Sequence, residues 1–307
     1  MNTYLEPGHP DGASGDQMID TFSQITGADI SKARLIHPRG YWFSGTFQGA
    51  QQRPLTDSII FDGRSWPLVV RFSGTLGGPN GHDAQTGDQG FGLRVQAEDK
   101  RSFDLMAFTL PVFFVRRAVD IADFFTATAP DPETGAPDSR RVEEYLKKHP
   151  ESVTALSLGA QEPPETLAGL TYNAVHAFGL TADGELTWAR FVVEPDMLSS
   201  TRLSMLEAMK LPRNYLQLDL QSRLPVSFTV FAQLPVDGDP VHDPTQLWSN
   251  KGERIKMATI TIENTIADNE IVHGFDPLNI DTLAPPTDQL IADRHRLYLA
   301  AQRRRRK

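Results

Sequence analysis

Residues 66–74 read WPLVVRFSG, and the alternation in that stretch decides how the chain folds. Side chains of a β-strand point to opposite faces in turn, so Arg71 and Ser73 share one face while Val70 and Phe72 share the other. An arginine on a packed face needs an anion, and a serine beside it can bond an imidazole nitrogen. Working outward, seven more stretches are rich in β-branched and aromatic residues: 41–48, 90–98, 102–110, 172–181, 186–195, 226–235 and 256–264. About eight strands close a barrel whose interior is filled by side chains or holds one ligand.

Helical periodicity lies between and after these runs, at 139–149, 199–210, 213–224 and 287–302. Thr287, behind Pro285 and Pro286, has the chemistry of an N-cap for the last of them. The stretch DPETGAPDS (131–139) reads as a linker, and residues 1–18, rich in Gly, Pro, Asp and Ser, as a flexible lead-in. The expected fold is therefore α+β: an eight-stranded antiparallel β-barrel with flanking helices, forming a single domain over 19–307.

With 307 residues, 39% of them apolar, the chain can bury one large core. A net charge of −9 argues against a nucleic-acid partner. The absence of cysteine excludes disulfides, zinc–thiolate sites, iron–sulfur clusters, thiolate-ligated haem and a catalytic thiol. Any metal must be held by His, Tyr, Asp or Glu. No apolar leader segment and no run of about 18 apolar residues occurs, so no membrane span is expected and a cytoplasmic setting is the default.

Two short segments carry chemistry. In RHRLY (294–298), Arg294 and Tyr298 stand at i and i+4 on one helix face. A phenol ordinarily titrates near pH 10, so keeping one ionised at pH 7 costs about 4 kcal/mol unless cations offset the charge. A ferric ion on the oxygen and a guanidinium behind it would do so. In RLIHPRG (34–40), His37 precedes a proline, which biases it towards an extended backbone, and Arg34 lies three residues earlier. His82, in a glycine-rich loop, has no partner at metal-ligand spacing.

In this order, RLIHPRG, VVRFSG, GFGLRVQAEDKRSFDLMAFTLPVFFVR (90–116), DPTQLW (243–248), FDP (275–277) and RHRLY resemble the haem catalase family over about residues 20–307. The resemblance is to its small catalase-related branch, which includes organic-hydroperoxide peroxidases and the related allene oxide synthases. It implies haem b with ferric iron, carried by the C-terminal helix. Tyr298 would be the axial iron ligand and Arg294 its ionising partner. His37 would be the distal acid–base group, with Ser73 holding its other nitrogen. Arg34, Arg71 and Arg305 would bind the haem propionates, and Phe124 would lie near the haem edge, while Ile121 replaces the family's other stacking phenylalanine. The family's distal asparagine is missing, and the ungapped alignment puts Thr109 in its place.

The chain also begins close to His37 and stops just after Tyr298, which would leave the haem easier to reach. The implied function is a haem peroxidase that cleaves the O–O bond of organic hydroperoxides and hydrogen peroxide, using a reducing cosubstrate. A hydroperoxide isomerase of allene oxide synthase type and a minimal catalase are the enzymatic alternatives. A non-catalytic apolar-ligand barrel is the other. A homodimer is expected. The terminal RRRRK (303–307) reads as a solvated end partly spent on propionates, with an anionic lipid or nucleic acid as the other use.

Overall fold

The computed structural model describes residues 14–305, apart from 27–28, 32–33, 51–54, 76–77, 79, 86, 132, 200 and 268–273. Its strands are β1 (Arg39–Gly49), β2 (Ser65–Gly74), β3 (Gln89–Gln96), β4 (Ser102–Phe108), β5 (Tyr172–Asn173), β6 (Phe178–Ala182), β7 (Glu185–Pro195), β8 (Val226–Gln233) and β9 (Arg254–Ile266). They follow the order β5-β4-β3-β2-β1-β9-β8-β7-β6, and a further β5–β7 pairing closes eight of them into an antiparallel barrel with β6 outside the ring. The strands expected from the sequence are all present, with one break. The run 172–181 is two strands, β5 and β6, because β7 pairs with them at different places along its length and residues 174–177 cross between.

The interior is a packed core. Phe43, Phe47, Phe72, Phe91, Phe103, Tyr172, Phe191 and Phe228 are essentially inaccessible, and their rings meet at centroid distances such as 5.2 Å for Phe72–Phe91 and 5.1 Å for Phe91–Tyr172. Of the two fillings expected, side chains therefore take the barrel, and a ligand must bind elsewhere. Alternation puts the opposite set on the outer wall of β1–β4: Trp42 beside Arg71, then Ser73, Gly90, Gly92, Arg94, Asp104 and Phe108. The two glycines matter. A Cβ on Gly92 would lie 2.6 Å from the Phe275 ring, and one on Gly90 would lie 3.0 Å from the His37 ring, so GFGLR supplies barrel core on one face and a flat bed on the other.

The helices are α1 (Gly15–Thr26), α2 (Ile121–Thr128), α3 (Ser139–Lys148), α4 (Ser152–Gly159), α5 (Met205–Ala208), α6 (Tyr215–Arg223) and α7 (Gln289–Arg305). The lead-in expected over 1–18 is interrupted by α1, while residues 1–13 lie outside the described ones. Ser14 and Gln17 form a reciprocal cap, with Ser14 N–H donating to Gln17 Oε1 at 2.7 Å and Gln17 N–H to Ser14 Oγ at 3.2 Å. Met18, Ile19 and Phe22 are then buried in one cluster with Leu290, Leu297 and Ala300 of α7, each of the larger side chains contributing roughly 2 kcal/mol.

The helix expected over 199–210 contracts to α5, held by a Ser204–Glu207 capping box. The cap of α7 is Asp288, whose Oδ1 accepts from Ile291 N–H at 2.9 Å. Thr287 is displaced from that role because its hydroxyl bonds His242. Within the expected linker, the Asp131 carboxylate accepts from the Glu133 and Thr134 N–H groups, and Asp138 caps α3.

Candidate active site

The outer wall of β1–β4 and helix α7 bring the two chemical segments together. On the wall, the Ser73 hydroxyl lies 3.2 Å from His37 Nδ1, leaving Nε2 as the nitrogen available for proton transfer. His37 has φ of +53°, a left-handed conformation rare for a non-glycine residue and not the extended one expected before proline. Arg71 helps hold it there, donating from Nη2 to the His37 carbonyl at 3.0 Å. Burial pushes the His37 imidazole down to about 3, helped by the charges of Arg71, Arg294 and Arg34 and opposed by Ser73. It is neutral at pH 7 and able to accept a proton.

On α7, Arg294 Nη2 donates towards the Tyr298 hydroxyl at 3.5 Å. Its Nη1 reaches His176 Nε2 at 2.7 Å, and His176 Nδ1 lies 2.8 Å from Asp288 Oδ2. Arg294, His176 and Asp288 are all buried. Guanidinium can only donate and an ionised carboxylate can only accept. The imidazole must therefore be neutral, with its proton on Nδ1. The directions agree: burial, helped by Arg294, holds His176 below its ordinary value, and the His176 contact keeps the Asp288 carboxyl low despite its burial. Asp288 thus uses one oxygen to start the helix and the other to begin a chain that ends at Tyr298.

His176 and Asp288 escaped the sequence reading. The first sits inside an apolar run taken as one strand, and the break at 174–177 is what frees its ring to cross to α7. For Asp288 the available signal is its residue type, since an aspartate directly before a helix has the chemistry of an N-cap.

The other expected residues divide. Arg34 and Arg71 both lie over the Trp42 ring, at 5.7 and 5.8 Å. Arg305 turns to the same region, with a guanidinium nitrogen 2.9 Å from where a Cβ on Gly274 would stand. Burial and the Arg34 charge push Arg305 down to about 10, and Tyr298 opposes this. Crowded, desolvated guanidiniums suit a multiply charged anion, and paired carboxylates of a haem match that chemistry. The residues present fit the group.

Phe124 packs against the cluster that holds Phe108 and Leu297, with its ring 4.3 Å from Phe114, 5.9 Å from Phe125 and 5.9 Å from Tyr145.

Thr109 is a correction. Its hydroxyl donates to Asp88 Oδ1 at 2.6 Å and accepts from Gln89 N–H at 3.0 Å, so it does not face His37. The residue that does is Phe108, whose ring lies 5.6 Å from the imidazole at 31°. Thr109 follows the end of β4, and one step along a strand reverses the face.

His82 is structural, with Nε2 3.1 Å from the Leu211 carbonyl and Nδ1 accepting from Ala84 N–H at 3.0 Å. The arginine tail is not simply solvated. Arg304 pairs with Asp16 at 3.0 Å and Asp20 at 2.6 Å, and Arg303 with Asp16 at 3.2 Å, tying α7 to α1. Arg306 and Lys307 lie outside the described residues.

A sequence model of the Catalase family matches residues 15–306. The chain belongs to the catalase family. Within the family it is similar to a catalase-related peroxidase of Synechococcus elongatus, 27% identical over 96% of this chain and 89% of that protein. A catalase-related peroxidase of Mycolicibacterium paratuberculosis is also 27% identical, over 94% of each chain. Among solved structures, a fungal catalase superimposes with a TM-score of 0.78 at 20% identity, covering 94% of this chain and 62% of that one. Catalase A from Saccharomyces cerevisiae gives 0.77 at 19%, covering 99% and 67%. These structural likenesses establish the shared fold. The catalase family is haem-dependent. Among the described residues, no helix is long and apolar enough to cross a membrane.

Proposed function

We propose that this protein is a haem peroxidase of the catalase-related branch, reducing organic hydroperoxides and hydrogen peroxide at the expense of an electron donor. The observation that carries the reading is the placement of a neutral imidazole, His37, across from a buried guanidinium that donates towards Tyr298. Haem b, with ferric iron, is the cofactor we assign. Tyr298 would hold its iron, and Arg34, Arg71 and Arg305 its carboxylates. When bound, haem supplies a redox-active iron at which a peroxide O–O bond can be cleaved.

The chain's own residues provide the proton handling. His37 Nε2 takes the proton from one peroxide oxygen and returns it to the other, which leaves as alcohol. Ser73 fixes the ring through Nδ1, so the imidazole turns over without rotating away. The net reaction consumes one hydroperoxide, two electrons from the donor and two protons, and yields one alcohol and one water. Arg294 keeps positive charge beside the Tyr298 oxygen throughout, itself oriented by His176.

The packed barrel interior weighs against the apolar-ligand barrel. A homodimer and a cytoplasmic setting complete the proposal; sedimentation and cell fractionation test them. The direct test of the function is His37→Ala. Its haem content should stay near wild type, while single-turnover reaction with hydroperoxide slows by about 10² or more. Unchanged reactivity would remove His37 from the mechanism.

A further inference from the structure

We propose that Phe108 is the specificity-determining wall of the peroxide site, selecting hydroperoxides whose peroxide-bearing carbon carries an apolar, branched or aromatic group. The inference rests on the peroxidase reading above and adds the substrate class. Phe108 closes β4 on its outer face, and its register partner on β3 is Gly90. With no side chain opposite, the ring is free to lean over the bed where His37 lies. It meets the imidazole at 5.6 Å. It also meets the Arg294 guanidinium at 5.4 Å and the Phe113 ring at 6.1 Å. Phe108 therefore borders the space between the proton-handling group and the Tyr298 end of the site.

The same cluster continues through Leu35, Ile121, Val175 and Leu297, which are buried with it. A phenyl ring offers no conventional hydrogen-bond donor or acceptor, so a peroxide entering beside His37 finds one imidazole nitrogen and, next to it, an aromatic face. Hydrogen peroxide has nothing to place there. A hydroperoxide with an apolar substituent gains contact area and loses hydrated surface in the same move. Phe108 is buried in this cluster, so the face it turns to the His37 ring is the part of it that a substituent bound beside the imidazole would touch.

The test compares haem-loaded wild type, Phe108→Ala and Phe108→Leu with cumene hydroperoxide and hydrogen peroxide. Removing the ring should lower the ratio of the two kcat/KM values by about 10- to 100-fold, the range that a lost apolar contact produces in substrate discrimination. Phe108→Leu, which keeps apolar volume, should stay within a few-fold of wild type. A readout independent of turnover is calorimetric binding of 2-phenyl-2-propanol, the alcohol product, which should weaken in Phe108→Ala. Should the alanine variant lose haem, Phe108→Asn in the same two assays carries the test. A ratio unchanged within twofold in haem-replete Phe108→Ala or Phe108→Asn, with turnover retained, would overturn the assignment of Phe108 alone. Haem-loaded wild type inert to both peroxides would instead overturn the peroxidase reading.

Discussion

Replacing His176 by alanine should cost the protein far more than a surface histidine would. The imidazole joins two buried charged groups, accepting from Arg294 at 2.7 Å and donating to Asp288 at 2.8 Å. Arg294 and His176 are each 3% exposed and Asp288 7%, so water cannot readily take over. A hydrogen bond to a charged group is worth about 1.5–3 kcal/mol. Loss of both, with the partners left buried, gives about 3–5 kcal/mol, in the range for breaking a buried charged network. At about 2–4 °C per kcal/mol for a large domain, the melting temperature should fall by roughly 10 °C. The assay is urea unfolding of the cofactor-free protein at pH 7.5, with haem content measured in parallel, because Arg294 loses the contact that points it at Tyr298. His176→Gln, whose amide can still donate and accept, should recover part of the loss. A destabilisation below about 1 kcal/mol would refute the bridging role and the proton assignment with it.

The pH dependence has a definite sign. His37 and His176 are both held below their ordinary value in the fold, so below about pH 6.5 the unfolded chain binds more protons. Stability of the cofactor-free protein should therefore fall with acidification, by up to about 1.4 kcal/mol per pH unit for each histidine, and His37→Ala should flatten the slope in urea titrations between pH 4 and 6.5. Thr109→Val removes the hydroxyl that donates to the partly buried Asp88 carboxylate. It should lower stability by about 1–3 kcal/mol while leaving the cumene hydroperoxide to hydrogen peroxide ratio within twofold of wild type, measured in the same peroxidase assay.

Much of the fold was readable because barrel strands announce themselves by alternation. Arg71 and Ser73 were placed on the right face from VVRFSG alone, and the Arg294–Tyr298 pair from helix spacing. What failed did so for local reasons. Continuity of the apolar run 172–181 concealed a break, since periodicity registers polarity and not the point where a strand leaves its partner. The α1 helix was hidden by a Gly- and Ser-rich context, although Ser14 and Gln17 form a legible cap. Thr109 and Phe108 were confused by one position at the end of a strand, where a single step exchanges a barrel-end hydroxyl for a ring in the site. The site itself lies outside the barrel because aromatic residues fill the inside, and that depends on summed side-chain volume, which no single motif encodes.

The most direct measurement of the central claim is the absorption spectrum of the protein loaded with haem, compared with that of Tyr298→Phe offered the same amount. If Tyr298 holds the iron, the variant loses haem or shows a shifted Soret band with altered visible bands. An unchanged spectrum at full haem content would contradict the account.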